Sequence, residues 1–369
     1  MIDSRAQSEV QAVADELVAS GAETGLQVAA IHEGRTVVDV VSGMSDAPTG
    51  AAVAVDTLFY AASTAKGVAS TLAHVLVERG VLSYGSRVAD VWPEFGAHGK
   101  GGVTLRHVLL HTAGVPGLPA TTTVDDLLDW ERMCAVIADE EPWWKPGTRF
   151  GYHAKTFGYV LGEMIRRTTG RRASSVLREI VTGPLGIEEE VHFGVPPALL
   201  PRVARQVGAD GAEPPLPEPE SPLARAMPAA VQPSAAIANR HDVLTADTLS
   251  EGTMTARGVA RMYAALLGHV EGARLVSPDR LAGMAATAFT GPDEVMGFPI
   301  TWAFGYSPFR PGGVPTRPGS TFGMVGANGS AAFADIDSGL AVAVMRNRFR
   351  AGDLTAVTRI DRIITGTLS

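Results

Sequence analysis

A chain of 369 residues with 46% apolar and 19% charged residues has the material for a large buried core and not the composition of a disordered segment. A net charge of −8 and a pI near 5.6 give no electrostatic footprint for nucleic acid, and the scattered basic residues form no polybasic patch for a membrane surface. One cysteine, Cys134, excludes an intrachain disulfide; Met1 to Gln7 lack a secretory start and no run of about eighteen apolar residues occurs, so cytoplasmic residence is expected unless a leader was removed.

Apolar residues up to about Ser20 recur at helical spacing, with Val10, Val13, Leu17 and Val18 on one side, and predict a first helix. Residues 26–31 and 36–41 are β-rich runs joined by Glu33-Gly34-Arg35, a hairpin signal. Residues 56–60 form another extended run, which turns near Ser63 into an amphipathic helix carrying Val68, Leu72, Val75 and Leu76. From there to about Met284 the chain reads as helix and loop, with Cys134 at a helical core position, a helix over 157–168 and another starting near Ala256. Pro214, Pro215, Pro217, Pro219, Pro222 and Pro228 predict an irregular excursion over 209–234, either a surface connection or a lid or acyl-pocket wall. The last third supplies extended runs at 300–306, around Met324, Ala331 and Leu340, with a turn at Asp337-Ser338-Gly339, and a closing helix from Leu354 to about Thr365. The expected fold class is α+β. Residues 1–62 and 285–369 form an antiparallel sheet flanked by terminal helices, and 63–284 form a mostly helical lobe. The site is expected in the crevice between them, since ligand pockets favour domain boundaries.

Three segments carry chemistry. In Ser63-Thr64-Ala65-Lys66, side chains three apart share a helix face, so the amine can approach the hydroxyl, while the first helical turn offers unpaired N–H groups to an oxyanion. The bland alternative is a capping Ser and a solvated Lys. Gly151-Tyr152-His153-Ala154, between Trp143-Trp144 and a helix, places a phenol on a turn, where it either takes part in proton transfer or packs beneath a loop. Phe322 to Gly329 reads as a glycine-containing strand that a ligand or backbone approaches closely, or as a core strand of small residues. The Ala327 N–H on this edge is a candidate second oxyanion donor. His107 and His111 lack the third ligand of a zinc site, so no metal is expected.

In this order the segments resemble the class C β-lactamase-like serine hydrolases, which include family VIII carboxylesterases and penicillin-binding-protein-like acyltransferases, from about Gly25 to Asn347. The resemblance implies a β-lactamase/penicillin-binding-protein-like fold, Ser63 as nucleophile, Lys66 as activator, Tyr152 as general acid/base, the Ser63 and Ala327 N–H groups as oxyanion hole, and no cofactor. Two departures stand out. This chain reads Met324-Val325-Gly326 where the β-lactamases have Lys-Thr-Gly, and Ala154 where the tyrosine motif ends in Asn. An apolar pair cannot hold a substrate carboxylate, and leaving that charge buried and unpaired costs several kcal/mol. The expectation is therefore a serine hydrolase for an uncharged, fairly apolar ester, poor as a β-lactamase. The alternatives are a biosynthetic acyltransferase with a small-molecule acceptor and a non-catalytic binding protein. Expected pocket residues are Ala154, Trp144, Met254, Met324, Val325 and Gly326, with Arg346 or Arg348 either supplying a nearby cation or solvated at a strand end.

Overall fold

Six antiparallel strands make the sheet, in the spatial order Thr321–Val325, Ala331–Asp335, Leu340–Arg346, Gly25–His32, Arg35–Asp46, Ala51–Ala52, so the two chain ends meet in one layer. The computed structural model describes residues 4–208, 216–308, 310–312 and 317–368. Strand alternation assigns each face. Val28, Ala30, Val38, Val40, Phe333, Val342 and Val344 point to the side covered by the terminal helices Ser4–Ala19 and Thr355–Leu368. Ala29, Ile31, Ala332, Ala334, Ala341, Ala343 and Met345 point the other way, into a core shared with the helical part of the chain. Most of these inward residues are alanines, which lets the helix Ala256–Leu266 pack closely across the strands at 25–32, 331–335 and 340–346. The sheet thus recruits a helix from the middle of the chain as its inner cover.

The expected hairpins at Glu33-Gly34 and at 337–339, the terminal helices and the helix over Thr156–Thr169 are present. Three expectations need correction. Residues 299–302 do not join the main sheet; they pair with Phe289–Pro292 as a separate two-stranded hairpin that swings Trp302 toward the tyrosine turn. The proline-rich segment is irregular over only part of its described length: it holds the short helix Pro222–Ala226 and a 3₁₀ turn over Ala229–Val231 between irregular stretches. Pro222 occupies the first turn of the short helix Pro222–Ala226, where its missing N–H costs nothing, and the Ser221 side chain caps that helix. Residues 209–215 lie outside the described residues. Arg346 is not solvated. It is fully buried, 3.0 Å from the Glu23 carboxylate, and it donates to the Asp353 carbonyl.

A second buried cation locks the closing helix to the sheet. Arg310 reaches Asp361 at 2.8 Å, Asp335 at 3.3 Å and the Thr365 hydroxyl at 2.8 Å, and all three charged groups are nearly inaccessible. Removing one partner of a buried pair leaves an uncompensated charge. Asp361→Ala is expected to lower stability by roughly 3 kcal/mol, read as a fall in the urea unfolding midpoint without change in slope.

Candidate active site

Phe59–Tyr60 pairs antiparallel with Thr253–Met254, which also pairs with Val191–His192, and this small sheet delivers the chain to Ser63. The turn is tight: Ala62 has φ +45°, a left-handed conformation uncommon for a residue with a side chain, and a single 3₁₀ turn over Ala62–Thr64 runs into the helix Ala65–Glu78. The strand end at 325 docks on this turn. A Cβ at Gly326 would lie 2.4 Å from the Ala61 carbonyl, so only glycine fits; Thr64 donates to the Ser330 carbonyl at 3.0 Å and Asn328 to the Tyr60 carbonyl at 2.8 Å. These contacts set residues 326–327 beside residues 61–64.

Lys66 is 1% exposed, its Nζ 3.1 Å from Ser63 Oγ and 3.0 Å from the Ser250 carbonyl, to which it donates. Burial first, then the Lys155 ammonium, push its pKa down to about 7, against the opposing pull of Glu251. A substantial fraction of Lys66 is therefore the neutral amine near pH 7, with a lone pair facing the hydroxyl.

Tyr152 closes the triangle. Its phenol is hydrogen-bonded to Ser63 and its ring centroid lies 5.3 Å from Lys66 Nζ. Burial raises the phenol above its ordinary range, and the Ser63 hydrogen bond only partly opposes this, so Tyr152 rests protonated. This environment favours the neutral phenol over a tyrosinate.

The turn carrying Tyr152 is held from three sides. One Asp293 carboxylate oxygen accepts the amides of Tyr152, Val295 and Met296 at 3.1, 2.9 and 3.0 Å. The His111 ring lies 4.8 Å from the Tyr152 ring and its Nδ1 accepts the His153 amide. His153 donates from Nδ1 to the Gly151 carbonyl at 2.6 Å and accepts the Val115 amide on Nε2, which fixes a neutral tautomer; burial holds its pKa down to about 4. Neither histidine is free for base chemistry at neutral pH.

The expected pocket residues divide. Ala154, Met324 and Gly326 are buried close to the triad, and Met324 packs toward Gly67 on the helix that carries Lys66. Trp144 lies beneath the tyrosine turn, against Gly151 and His153. Val325 turns toward the terminal helices, and Met254 has no exposed surface, so both support the walls rather than face a ligand. A small cavity of about 30 Å³ lies behind Ser250, lined chiefly by Leu127, Tyr159, Val231, Ile237 and Val243, with Lys155, Ser250 and Glu251 on one side; Ser63, Lys66 and Tyr152 do not line it. Val231 and Ile237 come from the proline-rich segment or just after it.

Lys155 and Glu251, a buried ion pair, were not identified by motif. The signal existed: the chain has four lysines, at 66, 100, 145 and 155, and two of them meet here. Glu251 falls in the loop that leads to the helix Ala256–Leu266.

Comparison with known proteins agrees with this geometry. The sequence pattern of the Beta-lactamase family matches residues 10–364. The chain is 33% identical over 347 residues to the esterase/beta-lactamase LipL of Mycobacterium tuberculosis (strain ATCC 25618 / H37Rv), covering 88% of this chain and 77% of that protein. The crystal structure of a family VIII carboxylesterase superposes with a TM-score of 0.87 at 31% identity, covering 99% of this chain and 98% of that one. A penicillin-binding protein homolog from Caulobacter crescentus gives 0.86, also at 31% identity, with 100% and 99% covered. With the fold, the tight Ser63 turn and the relatives in agreement, the chain belongs to the Beta-lactamase family, among its β-lactamase-like serine hydrolases and esterases.

Proposed function

We propose that the protein is a carboxylesterase that works through an acyl-enzyme on Ser63 and takes uncharged esters with a fairly apolar acyl group. The observation that carries this is the buried Lys66 amine, its pKa pushed down to about 7, placed 3.1 Å from Ser63 Oγ. Lys66 takes the hydroxyl proton as Oγ bonds to the ester carbonyl carbon, and the oxygen that becomes negative sits between the Ser63 and Ala327 N–H groups. Collapse breaks the bond to the alcohol, whose oxygen takes the Tyr152 proton; the Lys66 ammonium over that ring returns a proton to the phenolate. Water, deprotonated through the same pair, attacks the acyl carbon and releases the acid, restoring the hydroxyl on Ser63.

The acyl group is directed toward the apolar wall formed by Leu127, Tyr159, Val231 and Ile237, where the one lysine is already paired with Glu251 and does not meet a carboxylate. Met324 supplies an apolar surface where a β-lactamase would present a cation, which favours a neutral ester over a penicillin carboxylate.

Intact mass after reaction with a fluorophosphonate should show one adduct, located by peptide mapping to Ser63 and missing in Ser63→Ala. Lys66→Met is expected to slow p-nitrophenyl ester hydrolysis by about 10²–10⁴-fold, the span of a general base, with little change in KM. Full activity in either variant would contradict the mechanism. An adduct that persists in buffer and clears on addition of an amine or alcohol would assign the chain to acyl transfer instead. Leu127→Trp should narrow the cavity and shift preference to shorter acyl chains across an acetate-to-octanoate series, while nitrocefin turnover stays far below ester turnover.

A further inference from the structure

The Lys155–Glu251 pair is buried at a place where apolar residues would serve the cavity wall as well. Lys155 is 6% exposed and the Glu251 side chain 17%. Replacing a buried ion pair by well-packed apolar groups is often neutral or stabilising, so stability alone does not account for it. Its connections lead to the triad. The carbonyl of Ser250, one residue before Glu251, accepts from Lys66 Nζ. The Ser250 hydroxyl donates to the carbonyl of Lys155 at 2.6 Å and accepts the Gly158 amide at 3.0 Å. Glu251 also takes a hydrogen bond from the Tyr60 hydroxyl, three residues before Ser63. One dipeptide, Ser250-Glu251, therefore holds both lysines and the strand that leads to the nucleophile.

We infer that the Lys155–Glu251 pair is a positioning device for the Lys66 amine: Lys155 supplies a second positive charge that favours the uncharged amine, and Glu251 limits that repulsion while fixing the peptide whose carbonyl holds Nζ. This rests on Lys66 acting as the base for Ser63. The groups that face Lys66 are the Ser63 hydroxyl, the Tyr152 phenol, the neutral His111 ring, Lys155 and Glu251. Of these, Lys155 and Glu251 act on Lys66 with opposite sign. Burial lowers the Lys66 pKa as the largest influence; the pair adjusts where it comes to rest.

The four lysines make the test direct. Full-length protein carrying ¹³C at the lysine ε-carbons gives four side-chain signals to titrate, with Lys66 assigned by loss of its signal in Lys66→Met. Lys155→Met is expected to raise the Lys66 midpoint by about one pH unit, because a nearby like charge is gone, and Glu251→Gln to lower it by a similar amount, because Lys155 is left uncompensated. Lys155→Arg should keep the wild-type midpoint, and it keeps the test open if either other variant fails to fold. In each variant the acid limb of the pH profile of kcat/KM should move with the NMR midpoint. A pair that is merely structural would lower the unfolding midpoint of Lys155→Met and Glu251→Gln while leaving the Lys66 titration in place, and that result, or shifts of the same sign, overturns the inference. Failure of the Ser63 reading shows separately, as a wild type without a fluorophosphonate adduct, whereas the titration of Lys66 needs no turnover to be read.

Discussion

An amine buried on a helix, all but closed to bulk solvent, is the constraint on which the rest of this site depends. Lys66 is 1% exposed in a family fold whose nucleophile is a serine, and an unactivated hydroxyl is a poor nucleophile. Burial removes the solvation that stabilises an ammonium, so the same packing that costs folding energy produces a base at neutral pH. The surrounding structure keeps that amine buried and aimed: the Ser250 carbonyl accepts a hydrogen bond from it, the Tyr152 ring covers it, and Met324 packs against the same helix. A lysine on this strand, as in the β-lactamases, would add a cation beside the base; methionine leaves the cation count at two, one of them already neutralised by Glu251.

The sheet and its hairpins serve that arrangement at a distance. Small residues on the inner face bring the Ala256–Leu266 helix close, and the edge strand Thr321–Val325 ends where Gly326 meets the Ala61 carbonyl, so strand position and nucleophile turn are fixed by one contact. Asp293 does the same for Tyr152. It is 1% exposed and accepts three backbone amides, tying the turn that carries Tyr152 to the hairpin over 289–302. Backbone hydrogen bonds to buried carboxylates and glycine-only approaches are rigid, which suits groups that must meet within hydrogen-bond distance.

Much of this was legible from residues alone, and the parts that were not share a cause. Strand alternation and helical spacing identified the sheet, the terminal helices and the helix after Ser63, because one buried face imposes a local period. The order Ser63-x-x-Lys66, Tyr152 and the strand at 324 gave the family. Residues 299–302 read as a strand correctly, but which neighbour they pair with depends on a partner at 289–292 that has no strong pattern of its own. The proline at 222 hid a short helix within a largely irregular segment, because a residue that breaks a helix inside it is well suited to beginning one. Trp144, Met254 and Val325 were read as pocket residues from their position next to motifs, and sequence adjacency does not say which side of the backbone faces the cavity. Lys155 and Glu251 are ninety-six positions apart, and no local pattern announces a pair made by two loops meeting.

The rate constant for acylation of Ser63, measured by stopped flow with a p-nitrophenyl ester across about pH 5 to 9, reads the charge of Lys66 without interference from later steps. A neutral-amine base with a pKa of about 7 predicts a tenfold rise per pH unit well below that value and a plateau above it. A rate that does not change over this range, or one that begins to rise only near the pKa of about 10 of an exposed lysine, would contradict the account.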